Sequence, residues 1–428
     1  MATSEEAVNS IEAPLTFEPK ITYLDSFKHW CDFKSLAEYE KELLSYLPFY
    51  PKSDSTRQAE ILDTKINSTN YIHEFHVQNT EETREDRHIV MVHGYGAALG
   101  FFYKNFDGLS KMPGVQLHAI DLLGYGLSSR PHFPKFGVDT PEDIHKSEDF
   151  FIDAIEAWRK ERGLEKFVLM GHSLGGYLSS CYALKYGEGV VQKLILVSPV
   201  GVERNDFSLI GGYSAHQRNV AVDDTTIAQQ QGVAIENEYL EGQRDIVADD
   251  VSISSSGSSH SERLHQVRRA PKLGRIFTTM WERNVSPFSF LRALGPFAPK
   301  LVSNWTFNRF GAIEDPLELM TVHHYTYKTF AAKGSGEFAL TRILAPGAVA
   351  RLPLLDRLPG KLKIPSIWYY GDHDWMSKSD GRLIVKEINE ASEDGKLAKY
   401  RILSNAGHHV YLDNPPDFER SVRNFLGW

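Results

Sequence analysis

The sequence predicts an α/β fold: a mostly parallel sheet flanked by helices and interrupted by one long helical insertion. Three observations predict it. Between residues 71 and 200, short apolar runs alternate with helical patterns at the spacing of βαβ units. That rhythm stops over 201–360 and resumes over 361–428. The pentapeptide Gly171-His172-Ser173-Leu174-Gly175 joins an apolar strand to a helix, a turn that holds a serine hydroxyl above the strand ends.

Residues 1–70 read as an N-terminal arm. Its start, MATSEEAVNSIEAP, has no basic segment and no apolar run, so neither a secretory signal nor an ordinary mitochondrial presequence is expected. Ser35 can cap a helix whose apolar positions Leu36, Tyr39, Leu43, Leu44 and Leu47 keep a helical period. Ahead of it, Tyr23, Phe27, Trp30 and Phe33 suit either a lipid contact or a strap over the core.

The first part of the core, 71–200, contains strands at HIVMVHG (88–94), VQLHAI (115–120), KFVLMGH (166–172) and KLILVSP (193–199). Helices lie over 141–162 and from Tyr177 to a stop at Gly187. The insertion, 201–360, is expected to be a helical cap. Its polar stretch 222–263, with SISSSGSS inside, has too little apolar surface to order itself. IPSIWYYGDHD (364–374) and KYRILSNAGHH (399–409) continue the core over 361–428, and a last helix starts near Pro415.

Composition narrows the function. The 428 residues are 42% hydrophobic, enough for a sizeable core, and carry 47 Lys+Arg against 56 Asp+Glu. The resulting charge of −9 excludes a generally basic nucleic-acid binder. Two cysteines, Cys31 and Cys181, cannot build a disulfide framework or a cysteine metal cluster. His323-His324 lacks metal-ligand spacing on a helix and no HExxH occurs, so neither a catalytic metal nor a cofactor is expected.

Ser173 is the candidate nucleophile, and a serine needs a base that is itself oriented by an acid. His408, after Gly407, is the candidate base; adjacent side chains on an extended exit diverge, so His409 would face away. Asp374 is the candidate acid, with Asp372 as the alternative. The oxyanion would be held by the backbone N–H groups of Leu174 and Tyr95, the latter in the turn His93-Gly94-Tyr95-Gly96. Asp121 to Ser128 reads as a structural loop under the site. Asp413, before Asn414-Pro415, reads as helix-start chemistry more readily than as a reacting group.

Together these motifs identify the chain as a member of the α/β-hydrolase superfamily, over about 70–428. RALGPF (292–297), SGE (335–337), GDHDWM (371–376), AGHHVYLDNP (406–415) and WCDFKSLAEYEKELLSYLP (30–48) resemble one subfamily. It holds the lipid-droplet lipase co-activator (comparative gene identification protein) and the fungal cardiolipin-specific deacylases.

The resemblance implies a phospholipid substrate, specifically cardiolipin, a peripheral place on an anionic membrane surface, and a mitochondrial location, with cytoplasm or lipid droplet as the alternative. It also carries the spacing from His408 to Asp413, linked in the subfamily to acylation of lysophosphatidic acid. Some members lack the serine and act by binding a lipase; Ser173 is present here. Arg268, Arg269, Lys272 and Arg275 form a basic cluster suited to phosphate headgroups. Trp281, Phe288, Phe290, Leu291, Leu294, Phe297 and Trp305 would give the cap an apolar surface, as core or as binding groove.

Overall fold

The computed structural model describes residues 21–83, 87–210, 281, 283–311 and 313–428. The segment 222–263 and the basic residues Arg268, Arg269, Lys272 and Arg275 lie outside the described residues.

Eight strands form one sheet: β1 (Arg57–Lys65), β2 (Tyr71–Asn79), β3 (Arg87–Val92), β4 (Val115–Ile120), β5 (Phe167–His172), β6 (Val191–Val197), β7 (Ser366–Gly371) and β8 (Ala398–Leu403). Their order is β1-β2-β4-β3-β5-β6-β7-β8. The β1/β2 and β2/β4 pairs are antiparallel and all the others are parallel. The sheet begins at Arg57, inside the stretch read as an arm. Gln58, Glu60, Asp63 and Lys65 of β1 are polar and exposed, so this edge strand lacks the apolar run that marks the strands after it.

The central strands β3, β5 and β6 are covered on both faces, which is why they read as unbroken apolar runs. One face packs on α4 (Pro141–Glu161) and α5 (Leu174–Tyr186), with Phe151, Trp158, Tyr177 and Tyr182 buried there. The other packs on α3 (Tyr103–Leu109) and α10 (Pro415–Leu426) through Phe106 and Phe418, with Tyr411 of the turn before α10 beside them. Each such aromatic or aliphatic side chain contributes about 2 kcal/mol on burial. Trp158 donates its indole N–H to Glu74 (3.0 Å), so its polar edge is satisfied as well.

In the arm, α1 (Tyr23–Trp30) and α2 (Leu36–Leu44) each open with a capping box, from Thr22 and Ser35. Helix α2 buries Tyr39, Leu43 and Leu44, whereas Tyr23, Phe27, Trp30 and Phe33 remain exposed. The cap lies between β6 and β7 and contains α6 (Pro287–Ala293), α7 (Ala298–Arg309) and α8 (Pro316–Ala331). Ser286 and Asp315 cap α6 and α8, each followed by proline at the start of the helix. No described helix is long and apolar enough to cross a membrane. Helix α9 (Lys378–Glu390) separates β7 from β8.

Candidate active site

Ser173 sits at the sharp turn from β5 into α5, with φ +53° and ψ −118°. A non-glycine residue holds such a conformation only when its surroundings over-determine it. Two glycines provide that. A Cβ on Gly171 would lie 2.3 Å from the Gly175 carbonyl oxygen, and one on Gly175 would lie 2.4 Å from that of His93. The ends of β3 and β5 and the start of α5 therefore meet backbone to backbone, which only glycine permits.

The acid and base come from the last two strand ends. Asp374 follows β7 and His408 follows β8, and His408 Nδ1 lies 3.2 Å from Asp374 Oδ1. Burial pushes the Asp374 carboxyl up. The His408 hydrogen bond and charge, the Ser198 hydroxyl and the Met376 N–H outweigh that and hold it below the usual carboxylate range. Lys378 donates to the carbonyls of Asp372 and Asp374, 3.0 Å each, fixing the turn that presents the acid.

Asp372, the alternative acid, accepts the N–H groups of Asn405 and Ala406 at 2.9 Å each. It anchors the loop that carries the base. His409 turns its ring toward His172, with centroids 4.7 Å apart. His172, one residue before the nucleophile, donates Nε2–H to the His408 carbonyl (3.1 Å) and so ties the two loops together. Burial pushes its pKa well down, keeping that ring neutral.

Leu174 is the first residue of α5, where a backbone N–H has no partner within the helix. The turn bearing Tyr95 lies directly against Ser173: a Cβ on Gly94 would be 3.1 Å from the Ser173 Cβ. The residues named for the oxyanion thus stand beside the nucleophile, Leu174 next to it in sequence and Tyr95 in the turn packed against it. Phe288 of the cap covers this turn. It stacks on Tyr95 at 5.2 Å between centroids, and a Cβ on Gly96 would be 2.5 Å from Phe288 Cζ.

The floor is built around Asp121, which accepts the N–H groups of Leu99 (2.7 Å) and Leu127 (2.6 Å). Beside it, His73 Nε2 lies 2.7 Å from Glu40 and Nδ1 2.6 Å from Asp63. Burial pushes the His73 pKa down, but these carboxylates with Asp121 raise it to about 10. Glu40, His73 and Asp121 are close enough to hold a metal ion. Glu40 meets His73 with one oxygen and accepts the Tyr325 hydroxyl with the other, and Asp121 holds two backbone N–H groups, so donors of the chain itself already occupy these carboxylates.

Ser335, Gly336 and Glu337 form the cap's attachment. Ser335 Oγ donates to the Pro131 carbonyl, and Glu337 pairs with Arg292 at 2.6 Å. A Cβ on Gly124 would lie 2.3 Å from the Gly336 nitrogen, so the two backbones touch. The aromatic stripe divides. Trp281 and Leu291 are buried, Phe288, Leu294 and Trp305 partly so, and Phe290 and Phe297 are exposed.

Asp413 corrects a sequence reading. Asn414 caps α10, accepting from Asp417 N–H at 3.3 Å. Asp413 instead accepts Gly407 N–H (2.8 Å) and pairs with Arg309 (2.7 Å). Sequence reasoning did not single out His172, Ser198 or Arg309. His172 lay inside the pentapeptide and could have been found; nothing near Arg309 in the sequence announces its partner.

The model of the alpha/beta hydrolase fold family matches residues 87–224. The chain is similar to a probable 1-acylglycerol-3-phosphate O-acyltransferase of Oryza sativa subsp. japonica, 34% identical over 348 residues, covering 79% of this chain and 67% of that protein. A 1-acylglycerol-3-phosphate O-acyltransferase of Arabidopsis thaliana is also 34% identical, over 78% of this chain and 65% of that one. The chain thus spans about two thirds of the length of these plant relatives. A (lyso)-N-acylphosphatidylethanolamine lipase of Bos taurus is 30% identical, over 80% of this chain and 79% of that protein. Among solved structures, a putative hydrolase from Bacillus subtilis superposes with a TM-score of 0.51 at 13% identity, covering 94% of this chain and 99% of that one.

Proposed function

We propose that this chain, which belongs to the α/β-hydrolase family, is a serine acyl hydrolase that removes fatty-acyl groups from phospholipid. The observation that carries the reading is the Asp374–His408 hydrogen bond, joined through His172 to the strained turn of Ser173. The family's lipid-modifying relatives support a lipid substrate.

In this reading His408 takes the Ser173 proton as the hydroxyl attacks an acyl ester carbonyl. Asp374 holds the imidazole in the tautomer that leaves Nε2 free and stabilises the imidazolium. The N–H groups of Tyr95 and Leu174 receive the developing oxyanion. His408 then protonates the departing lysolipid, and water, deprotonated by His408, releases the fatty acid from Ser173.

Cardiolipin at a mitochondrial membrane, approached from its surface, is the specific substrate we favour, on the motifs at 292–297 and 406–415. A second reading is favoured by the names of the plant relatives: the acyl group passes from Ser173 to lysophosphatidic acid instead of water. A third, a non-enzymatic lipase co-activator, would not need the serine.

The test incubates purified protein with mixed phospholipid vesicles, wild type beside Ser173→Ala, and follows the lipids by mass spectrometry. Loss of cardiolipin with matching monolysocardiolipin and fatty acid, abolished in the variant, is the expected result. Phosphatidic acid formed from added lysophosphatidic acid would move the reading to acyl transfer. No change with either protein would sink the enzyme reading and leave the co-activator.

A further inference from the structure

The loop that carries the base is held through its backbone. The His408 carbonyl accepts from His172, the Asn405 and Ala406 N–H groups donate to Asp372, and Gly407 N–H donates to Asp413 Oδ2. The other Asp413 oxygen receives Arg309 Nη1 (2.7 Å), while Arg309 Nη2 donates to the His409 carbonyl (3.2 Å). Arg309 is the last residue of α7, and among the described residues it is the one of these partners that belongs to the cap.

A carboxylate five residues after the base invites a catalytic role. The geometry opposes it. Each Asp413 oxygen already holds a donor, one a backbone N–H and the other a guanidinium, and the His408 Nδ1 position is taken by Asp374. The pair is partly buried, with side-chain exposures of 15% for Arg309 and 19% for Asp413. There a charge-assisted bond resists competition from water better than an exposed one does.

We infer that Asp413 and Arg309 are a positioning pair, which couples the cap to the His408 loop without touching the reacting atoms. The inference rests on the serine acyl hydrolase reading for its kinetic consequence, but its structural half stands alone. A displacement of about 1 Å at a general base can cost roughly 100-fold in rate. Movement of α7 as the cap accommodates a lipid would therefore be felt at His408 through one guanidinium.

The experiment compares wild type, Asp413→Asn, Asp413→Ala, Arg309→Ala and the double Ala variant. Amide hydrogen exchange over residues 405–409 is read first. The expected result is faster exchange at Gly407 in Asp413→Ala and near-native protection in Asp413→Asn, whose amide oxygen can still accept.

Turnover is then measured on a short soluble ester and on phospholipid vesicles, with acyl transfer to lysophosphatidic acid alongside. We expect kcat to fall roughly 10- to 100-fold in Asp413→Ala and about tenfold in Arg309→Ala, equally on every substrate and with KM little changed. The double variant should be no worse than Asp413→Ala, and Asp413→Asn should stay within about tenfold of wild type.

Asp413→Asn as inactive as Ser173→Ala, with a lost limb in the pH–rate profile, would make Asp413 catalytic and overturn the inference. So would loss of transfer with hydrolysis intact, or an Arg309→Ala defect confined to KM for lipid. Unchanged exchange and turnover in every variant would overturn it as well. A wild type with no Ser173-dependent turnover would sink the hydrolase reading instead, and the exchange arm would still decide whether the pair holds the loop.

Discussion

The core and the cap reach the reaction centre by different means. In the core the contacts are backbone to backbone: Gly171 on Gly175, and Gly175 on the end of β3. From the cap's helices they are made by side chains: Phe288 over Gly96, Arg309 on Asp413, Tyr325 donating to Glu40. Backbone contacts have no rotamers with which to relax, so the core fixes where the nucleophile stands. Side-chain contacts can be exchanged one at a time, so in the proposed reading the cap would be the part free to set which acyl group arrives.

The sharpest test of the core side is the nucleophile itself. Ser173→Ala should lower turnover by roughly 10⁴-fold or more with little change in stability. Comparable turnover in the variant would break the comparison outright, because the strained turn would then have no chemical purpose.

Gly175→Ala comes next. Its new methyl would meet carbonyl oxygens at 2.4 and 2.5 Å, so unfolding experiments should show a loss of about 3 kcal/mol or more. A variant with near-native stability would mean that the turn is softer than its contacts imply.

The cap side should respond more gently. Phe288→Ala should leave the fold intact and shift acyl-chain preference by roughly tenfold, measured as kcat/KM ratios on a chain-length series. A loss as deep as that of Ser173→Ala would show that the cap is part of the chemical machinery.

The smallest effect lies beneath the site. The His73 pKa is raised from 6.5 to about 10 in the folded state. Its stabilisation should be fully present below pH 6.5 and lost as pH rises through 10. Denaturant midpoints measured across pH 6.5–10 should therefore fall, and the slope should flatten in His73→Gln. An equal slope in both proteins would remove His73 as its source.

Much of this was legible in the sequence, and the exceptions have physical causes. The strands covered on both faces were readable because burial demands unbroken apolar runs, as in Phe167–His172. The turn at Ser173 was readable because its glycines are close in sequence. Strand β1 was not, since RQAEILDTK lies at the sheet edge with exposed Glu60 and Lys65 and lacks that run. Asp413 was taken for a cap because its local neighbours, Asn414 and Pro415, dominate any short-range reading. Its real partner, Arg309, is 104 residues away, and only the fold brings them together. The pairing of Glu40 with His73 escaped for the same reason: α2 and β2 are separate elements whose contact no periodicity encodes.

The touching backbones of Gly124 and Gly336 carry a consequence for descent. A side chain at Gly124 would strike the Gly336 nitrogen at 2.3 Å, and one at Gly336 would strike the Leu123 carbonyl at 2.8 Å. Gly124 cannot acquire a side chain while Gly336 keeps its place, nor Gly336 while Leu123 and Tyr125 keep theirs. The two should be inherited as one character, so a lineage that remodels the cap should keep that seam.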